Sequence, residues 1–190
     1  MSANLANILT FSRLFLTPVF IYLYIAEARM LAFIVFCFAA FTDLIDGTVA
    51  RMYGQQSKLG GLIDPLADKL LMQSCFVLLL IGGFIPLWFF AIALIRDLMI
   101  VSGIFYLENK KIELPYRAIW PSKLATLMQM MTASLGLLRG WLHAGQALRS
   151  PLETAQYLFM YLAALFIVVS GYQYVRMGLE LLRRGVVRRS

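Results

Sequence analysis

Charged residues are scarce in this chain, and their scarcity excludes most soluble proteins. Of its 190 residues only 14% are charged, whereas 61% are hydrophobic, and the mean hydropathy is +0.78. A soluble domain carries about 25% charged and about 45–50% apolar residues, so the surplus apolar surface requires a lipid environment. The same excess excludes a disordered or collagen-like chain, because both are poor in large apolar residues.

Cysteine is nearly absent, which excludes a protein held together by disulfides. The two cysteines, Cys37 and Cys75, lie within apolar runs and indicate packing residues, not a disulfide framework or a metal site. The net charge of +7 is carried in short loops and near the C-terminus. That distribution is typical of proteins that face an anionic membrane surface. We therefore expect an integral membrane protein with no nucleic-acid partner.

Six apolar stretches are long enough to cross the hydrocarbon core of a bilayer, which takes about 20 residues in a helix. They cover residues 8–27, 30–50, 61–82, 85–106, 121–143 and 153–177. The sequence thus predicts an all-α integral membrane protein with six transmembrane helices in a single domain, residues 1–190. We expect the first stretch to be retained and not cleaved as a signal peptide, because no Lys or Arg precedes it.

The basic residues of the loops are divided unequally, and the division predicts an orientation. The proposed inner side carries Arg51, Lys58, Lys110, Lys111, Arg117, Lys123, Arg183, Arg184, Arg188 and Arg189, and the outer side Arg29, Arg139 and Arg149. Such an excess on one side places that side in the cytoplasm. We therefore expect both termini and the active site at the cytoplasmic face of a membrane, the inner (plasma) membrane of a bacterium.

Acidic residues are also few, yet four of the ten fall within the window 43–68. The i, i+3, i+4 and i+7 positions of one predicted helix face are Asp43, Asp46, Gly47 and Ala50, with Arg51 following on the same side. On the next predicted helix the i, i+4 and i+8 positions are Gly60, Asp64 and Asp68. Residues at these spacings share one side of a helix. Because ionisable groups at membrane depth are costly, they are functional candidates by default.

Four carboxylates that converge in a partly dry pocket cannot all stay ionised without cations. The cluster offers only oxygen atoms, with no His or Cys, so it suits Mg²⁺, Mn²⁺ or Ca²⁺ and not zinc. Two such ions about 4 Å apart would clamp a phosphate group during a displacement reaction. Taken singly, each aspartate could be a helix cap and each glycine a packing residue. The shared stripes favour a site.

A small transporter or channel subunit is the alternative from another functional class, with the aspartates as an ion pathway. Transporters place polar residues near the middle of the membrane and are commonly built from repeats. In this chain the carboxylates gather near one predicted face and no repeat is visible. The pattern therefore favours an enzyme.

The acidic window resembles a known family signature. Residues 43–51 read DLIDGTVAR, and after eight residues 60–68 read GGLIDPLAD. This is similar to the pattern of the CDP-alcohol phosphotransferase family: D-x-x-D-G-x-x-A-R, a spacer of eight or nine, then G-x-x-x-D-x-x-x-D. The eight fixed positions are all present, as Asp43, Asp46, Gly47, Ala50, Arg51, Gly60, Asp64 and Asp68. The six-span layout is also that of the family, so the resemblance covers nearly the whole chain.

The resemblance implies a reaction and a role for each residue. Family members move a phosphoalcohol group from a CDP-linked donor to a hydroxyl group and release CMP. Two Mg²⁺ or Mn²⁺ ions would be held by Asp43, Asp46, Asp64 and Asp68, and Asp68 would also be the general base on the acceptor hydroxyl. The CDP group would lie against Asp43, Gly47, Ala50, Arg51 and Gly60, with the arginine near its diphosphate. The family also implies a homodimer.

Two further segments resemble the family members whose donor is CDP-diacylglycerol. They are residues 64–69, DPLADK, and residues 7–13, NILTFSR. The implied partners are CDP-diacylglycerol, a glycerol-type lipid or small alcohol as acceptor, and the surrounding membrane lipids. Arg13 would meet a lipid or diphosphate oxygen, and an equal alternative is that it anchors the end of the first span at the interface.

Within the family, phosphatidylglycerophosphate synthases use glycerol 3-phosphate as acceptor and cardiolipin synthases of this type use phosphatidylglycerol. The former tend to carry Arg-Glu in the fourth span and a second arginine two turns on. This chain has Arg96, Asp97 and Ile104 there. Residues 122–126, SKLAT, also resemble the cardiolipin synthases, whereas the other group usually has Gly-Lys. Ala125 departs from the likeness to the cardiolipin synthases, which often have Asn at that position.

Arg96 and Lys123 are the residues expected to hold the acceptor phosphate. Without a cation at position 104, they suit the single charge of a phosphodiester better than a phosphate dianion. We therefore expect phosphatidylglycerol as acceptor, with glycerol 3-phosphate as the alternative. Two other interpretations stay open: Arg96 and Asp97 as a neutralised pair inside the bundle, and Lys123 as an interfacial lysine.

Overall fold

The structure is a computed structural model, and it describes the backbone of residues 15–53, 60–109, 120–142 and 146–187. Within those ranges the side chains are described except at 42–53, 60–68, 104–105, 107–109, 146–149, 182 and 184–187. Every regular element in the described ranges is a helix, which confirms the all-α prediction for that part of the chain. In lipid the helix is favoured because it satisfies all backbone hydrogen bonds within one segment.

The described residues form six helices, which follow one another in sequence. They are α1 (Phe15–Ile25), α2 (Arg29–Tyr53), α3 (Gly60–Ile81), α4 (Leu87–Asn109), α5 (Trp120–Trp141) and α6 (Gln146–Val187). Each overlaps one of the six predicted apolar stretches. Within the described part of the chain one stretch, Ser150–Leu181, is long and apolar enough to cross a membrane by length and composition, and shorter apolar stretches occur in α1, α2 and α3. The number of spans and the side of the active site remain predictions.

Helices α1 and α3 end in the same type of turn. After α3 the N–H of Phe84 donates to the carbonyl of Leu79 at 2.8 Å, around Gly83 with φ of 72°. After α1 the N–H of Ala28 donates to the carbonyl of Leu23 at 3.0 Å, around Glu27 with φ of 60°. A left-handed residue that closes a helix in this way is usually glycine. Glu27 therefore adopts a conformation that costs a residue with a Cβ atom about 1 kcal/mol.

The burial pattern of the described side chains is unlike that of a soluble protein. Fully buried positions hold some large apolar side chains, such as Phe20, Phe76 and Phe89, together with many small and polar residues: Ala32, Ala39, Ala93, Ala125, Ala133, Ala163, Thr132, Gln156 and Ser170. Many other large apolar side chains are exposed, among them Phe15, Tyr22, Phe41, Ile81, Ile95 and Tyr172. Small and polar residues between helices with large apolar residues outside are typical of membrane proteins. The distribution therefore fits a chain whose outer surface faces lipid.

The chain divides into two compact units. The first comprises Met1–Pro86 and Ala133–Gln156, and the second comprises Leu87–Thr132 and Tyr157–Ser190. The first unit contains the acidic signature on α2 and α3. The second contains Arg96 and Lys123, the two residues predicted to bind the acceptor. The single-domain organisation predicted for residues 1–190 stays a prediction.

Candidate active site

The acidic signature lies on two helices of the first unit. Helix α2 continues to Tyr53 and so includes Asp43, Asp46, Gly47, Ala50 and Arg51, and α3 begins at Gly60 and includes Asp64 and Asp68. A continuous helix through each half is the condition under which the predicted spacings form one face. The side chains of all eight signature residues lie outside the described ones. Their convergence stays a prediction.

The donor chemistry of the signature fits a hard divalent cation. Its four possible ligands are all carboxylates, and Mg²⁺ and Mn²⁺ prefer such oxygen ligands. Among the side chains that the structure describes there is no group of three or more His, Cys, Asp or Glu residues. The signature aspartates are the residues that would hold the metal ions.

Arg96 lies at the centre of a polar cluster in the second unit. It is 5% exposed, and its Nη1 donates to Oδ1 of Asp97, 7% exposed, at 2.8 Å. Its Nη2 donates to the hydroxyl oxygen of Ser122, on the first turn of α5, at 2.5 Å. A third helix contributes through Tyr174 of α6, whose hydroxyl lies 3.5 Å from the same Ser122 oxygen. The structure therefore shows the ion pair that was one of the two open interpretations of positions 96 and 97, and the role of Arg96 in acceptor binding stays a prediction.

A buried ion pair of this kind is held in place by its hydrogen bonds. Taking both charges out of water is costly, and the cost is offset only where the geometry is good and further partners are present. Ser122 supplies such a partner to Arg96. The Nε atom of Arg96 is buried and has no hydrogen-bond partner. The guanidinium group is therefore fixed in position at the start of α5.

Lys123 follows Ser122 on α5, but its side chain lies at the surface and not in the buried cluster around Arg96. Its side chain is exposed, and its ammonium group lies 5.8 Å from the centroid of the Trp120 ring. A cation at that distance from an aromatic face is attracted to it without losing its water. Lys123 is thus available to an anion. Position 104 lies on α4 with its side chain outside the described ones, and Arg13 lies outside the described residues altogether.

The sequence did not single out Ser122 or Tyr174 as functional residues. Ser122 belongs to the segment 122–126 that resembles cardiolipin synthases, and its place next to a lysine at the start of a predicted helix was the one signal available. Tyr174 gave no signal, because aromatic residues are frequent in the middle of α6. The contacts of Ser122 with Arg96 and of Tyr174 with Ser122 depend on how three helices pack.

A second polar cluster, in the first unit, surrounds Arg139 of α5. The guanidinium group donates to the amide oxygen of Gln156 at 2.5 Å, lies 3.0 Å from a carboxylate oxygen of Glu153, and covers the Phe84 ring. Gln156 in turn donates to the Phe84 carbonyl at 2.8 Å. This cluster ties α5 and α6 to the turn after α3.

Arg29 makes an equivalent connection for the turn after α1. Its Nη1 donates to the carbonyl of Gly140 at 3.0 Å, and its Nη2 donates to the carboxylate of Glu27 at 2.9 Å. The hydrogen bond that Arg29 donates to the Glu27 carboxylate raises the pKa of the Arg29 guanidinium above its ordinary value. Arg29 and Arg139, predicted only as loop cations, therefore connect turns to helices.

Comparison with known proteins identifies the family. The profile of the CDP-alcohol phosphatidyltransferase family matches residues 3–170. The chain belongs to this family. The resemblance found in the acidic signature is thereby confirmed, and so is the prediction that the protein is a phosphatidyltransferase enzyme.

Relatives of known name belong to two groups of CDP-alcohol phosphatidyltransferases. A probable phosphatidylglycerophosphate synthase of Mycobacterium tuberculosis is 35% identical over 187 residues, 94% of this chain and 83% of the relative. A CDP-diacylglycerol–glycerol-3-phosphate 3-phosphatidyltransferase of Rickettsia typhi is 30% identical over 176 residues, 91% of this chain and 96% of the relative. The human cardiolipin synthase (CMP-forming) is 38% identical over 113 residues, which are 59% of this chain and 38% of the relative. The comparisons therefore leave the acceptor open.

Proposed function

We propose that this CDP-alcohol phosphatidyltransferase transfers a phosphatidyl group from CDP-diacylglycerol to phosphatidylglycerol and releases CMP. The observation that carries the choice of acceptor is the buried ion pair of Arg96 and Asp97. Because the carboxylate offsets the guanidinium charge, Lys123 supplies the only net positive charge among these three residues. A phosphodiester such as phosphatidylglycerol carries one negative charge, whereas glycerol 3-phosphate carries nearly two. The single charge matches the residues present.

The proposed reaction is an in-line displacement at phosphorus. The acceptor hydroxyl attacks the β-phosphorus of CDP-diacylglycerol, an oxygen–phosphorus bond forms to the acceptor, and the bond to CMP breaks. Asp68 takes the hydroxyl proton, which a carboxylate within hydrogen-bond reach is able to do. Bound metal ions would neutralise the diphosphate and stabilise the departing CMP. Placement and electrostatic preorganisation supply most of the rate.

The signature residues divide these tasks in the proposal. Asp43, Asp46 and Asp64 hold two Mg²⁺ or Mn²⁺ ions with Asp68 close to them. Gly47, Ala50, Arg51 and Gly60, together with Asp43, line the CDP site. The small residues leave the backbone open to the nucleotide, and the arginine pairs with its diphosphate, a contact that its planar donors suit. Arg13, which lies outside the described residues, would meet a lipid phosphate.

Glycerol 3-phosphate is the second candidate acceptor. The support is the extent of similarity, because the relatives whose printed names refer to phosphatidylglycerophosphate synthesis match more than 90% of this chain. The human cardiolipin synthase matches 59% of it. Under this alternative the same aspartates perform the same phosphatidyl transfer, and the acceptor would be a small water-soluble phosphate monoester.

The acceptor is decided by one parallel assay. Purified enzyme receives CDP-diacylglycerol with either phosphatidylglycerol or glycerol 3-phosphate, and both CMP and the product lipid are measured. We expect CMP release with phosphatidylglycerol to exceed that with glycerol 3-phosphate, and cardiolipin to be the product. Efficient turnover of glycerol 3-phosphate alone would overturn the proposed acceptor. Absence of CMP release with both acceptors would contradict both candidate acceptors.

The proposed roles of the aspartates are separable by single substitutions. Asp68→Asn should reduce turnover by roughly 10²–10⁴-fold and leave donor binding largely intact, because it removes a general base. Asp43→Asn should instead weaken the binding of CDP-diacylglycerol, since the metal ions carry part of that affinity. Excess chelator should abolish wild-type activity, and Mg²⁺ or Mn²⁺ should restore it. Equal loss of donor affinity in both variants would contradict the separate role of Asp68.

The proposed placement is an inner bacterial membrane that the chain crosses six times, with both termini and the aspartates at the cytoplasmic face. The exposed large apolar side chains of the described helices support a lipid-facing surface. Reporter fusions at the C-terminus and in the turn at residues 82–86 should give opposite sidedness. The homodimer that the family resemblance implies is testable by cross-linking of the enzyme in its membrane.

A further inference from the structure

A stripe of large apolar side chains is exposed along α6. Its members Val168, Tyr172, Val175 and Leu179 follow one another at intervals of three or four residues, so they share one side of the helix. Each of them is between 46% and 69% exposed. No charged residue occurs over residues 157–175, and a helix surface of this kind suits the acyl chains of a bilayer.

The apolar stripe continues beyond Val175, but there it lies beside charged residues. Arg176 and Glu180 are exposed and form an ion pair at 3.3 Å, and Arg183 is exposed as well. These three residues occupy positions i, i+4 and i+7, so they form a second stripe along the helix. The helix therefore becomes amphipathic towards its end, with an apolar stripe and a charged stripe side by side.

The length of α6 places this end at a membrane surface. The helix has 42 residues and so extends over about 63 Å, about twice the hydrocarbon thickness of a bilayer. Its uncharged part, residues 157–175, extends over about 28 Å, close to the hydrocarbon core of about 30 Å. A helix that crosses the membrane with this part carries the residues from Arg176 onwards into the headgroup layer.

Anionic phospholipid suits both stripes at that depth. From Val175 to the end of α6 the sequence contains three arginines and one glutamate, so the charged stripe is positive overall. Apolar side chains of an interfacial helix enter the outer part of the acyl chains, and guanidinium groups bind phosphate oxygens in pairs. A second copy suits the surface less well. A two-fold axis along the membrane normal would bring the same arginines of both copies together, and like charges repel.

We propose that the end of α6, residues 175–187, is a binding surface for anionic phospholipid, in which Arg176 and Arg183 bind headgroups while Val175 and Leu179 contact acyl chains. Each arginine near an anionic surface strengthens the association by about fivefold. Glu180 opposes it. The surface belongs to α6, whereas the acidic signature belongs to α2 and α3.

The consequence for catalysis rests on the proposed function. CDP-diacylglycerol is an anionic lipid, and so is the product with either candidate acceptor. A surface that binds this class of lipid would therefore gather donor and product beside the enzyme. Lipid binding requires no turnover, so it is tested separately from the reaction.

The test measures lipid selectivity at one point of the full-length enzyme in phosphatidylcholine bilayers. A fluorophore is attached to Gly178→Cys, where a Cβ atom meets nothing within 4 Å, and is quenched by phospholipid with a spin label on its acyl chain. Titrations with labelled phosphatidylserine and labelled phosphatidylcholine give the relative association constant. Phosphatidylserine is anionic but is neither the proposed donor nor a candidate acceptor. Val168→Cys, on the uncharged part of the apolar stripe, is the matched control, and labelled wild-type enzyme gives the background from Cys37.

We expect phosphatidylserine to be favoured by about fivefold or more at position 178 and not to be favoured at position 168. Arg176→Gln and Arg183→Gln should each lower the relative association constant by about fivefold, and added salt should lower it too because exposed charges are screened. Glu180→Gln should raise it. This variant breaks the same ion pair as Arg176→Gln, so a merely structural role of the pair would move both constants in one direction. All three side chains are exposed, and such substitutions have little effect on folding.

Equal association of the two lipids at position 178 overturns the inference. So does a selectivity that persists without both arginines, or one that is as strong at position 168. Shielding of the probe from both lipids means that a protein surface, such as a second copy, covers this part of α6, and it also overturns the inference. An enzyme that uses glycerol 3-phosphate alone contradicts the proposed acceptor and leaves the lipid surface unaffected.

Discussion

Each of the two units contains a buried arginine with polar partners. The two arginines differ in the kind of residues that they contact. In the first unit Arg139 contacts Gln156, Glu153 and the Phe84 ring, and its partners connect two helices to a turn. In the second unit Arg96 contacts Asp97 and Ser122, beside the exposed Lys123 at the start of α5. An arginine inside a helical membrane protein is a functional candidate by default. We therefore expect its partners to distinguish an anion site from a brace for the fold.

The two networks should differ most in their effects on activity and stability when the charges of the Arg96–Asp97 pair and of the Arg139–Glu153 pair are removed. The double variant Arg96→Gln/Asp97→Asn should lower kcat/KM for the acceptor by about 10- to 100-fold, because a hydrogen bond to a charged group is lost. Its melting temperature should stay close to that of the wild type, since replacing both partners of a buried pair is often neutral. Transfer activity at saturating donor and thermal unfolding in detergent are the measurements.

The matched control in the first unit is Arg139→Gln/Glu153→Gln. It should lower the free energy of unfolding by about 1–3 kcal/mol, because Gln156 loses a partner in a buried position. Its activity per folded molecule should remain that of the wild type. If this variant loses acceptor affinity as strongly as Arg96→Gln/Asp97→Asn, the functional distinction between the two networks is wrong.

Helix packing offers a second comparison, because each unit has a helical glycine that faces a neighbour. A Cβ atom on Gly136 would lie 2.9 Å from Cδ1 of Leu79 and 3.0 Å from Nε2 of Gln156, which is already bonded to the Phe84 carbonyl. Gly136→Ala should therefore destabilise the protein by about 1–3 kcal/mol, as overpacking does. A Cβ atom on Gly171 would meet only the end of the flexible Met99 side chain, at 3.4 Å.

Gly171→Ala should consequently change the free energy of unfolding by less than about 0.5 kcal/mol, because the methionine can move and alanine favours the helix. Denaturation of both variants in the same detergent provides the comparison. Equal destabilisation by the two substitutions would mean that the tight packing around Gly136 does not determine its cost.

A further pair of modest effects concerns two glycines whose Cβ positions are open. Gly83 has φ of 72°, and Gly178 lies inside α6, with nothing within 4 Å of either Cβ atom. Gly83→Ala should destabilise the protein by about 1 kcal/mol, since alanine disfavours the left-handed conformation. Gly178→Ala should stabilise it by up to about 1 kcal/mol through helix propensity. Changes of the same sign, measured by thermal unfolding, would contradict the backbone explanation.

The sequence predicted the helices well where apolar residues define them. Residues 61–82 were predicted and α3 is Gly60–Ile81, and 85–106 corresponds to α4 at Leu87–Asn109. The sixth helix was predicted at 153–177 but extends over Gln146–Val187. The criterion of apolar length finds the part of a helix that lies in hydrocarbon. It misses polar ends such as the exposed Arg176–Glu180 pair, which lies one turn apart on the C-terminal part of α6.

The signature was visible from the sequence alone because its order is local. Its eight positions are spaced by the helical repeat within 26 residues, so a reader needs only the periodicity of a helix to see that they share two faces. Arg96 was assigned to the acceptor site by the resemblance of its segment to family members, and its predicted pairing with Asp97 concerned only its neighbour in the chain. No more distant contact entered that prediction.

Only the tertiary structure decided which partners complete each arginine network. Arg96 meets Ser122 across 26 residues, Tyr174 meets Ser122 across 52, and Arg29 meets Gly140 across 111. Periodicity determines which side of a helix a residue occupies, but it does not determine which helix packs against that side or at what height. Those two quantities follow from the fit of many side chains at once. Because of this packing, Arg139, predicted only as a loop cation, connects helices to a turn. The hydroxyl of Ser122 becomes a hydrogen-bond partner of Arg96 for the same reason.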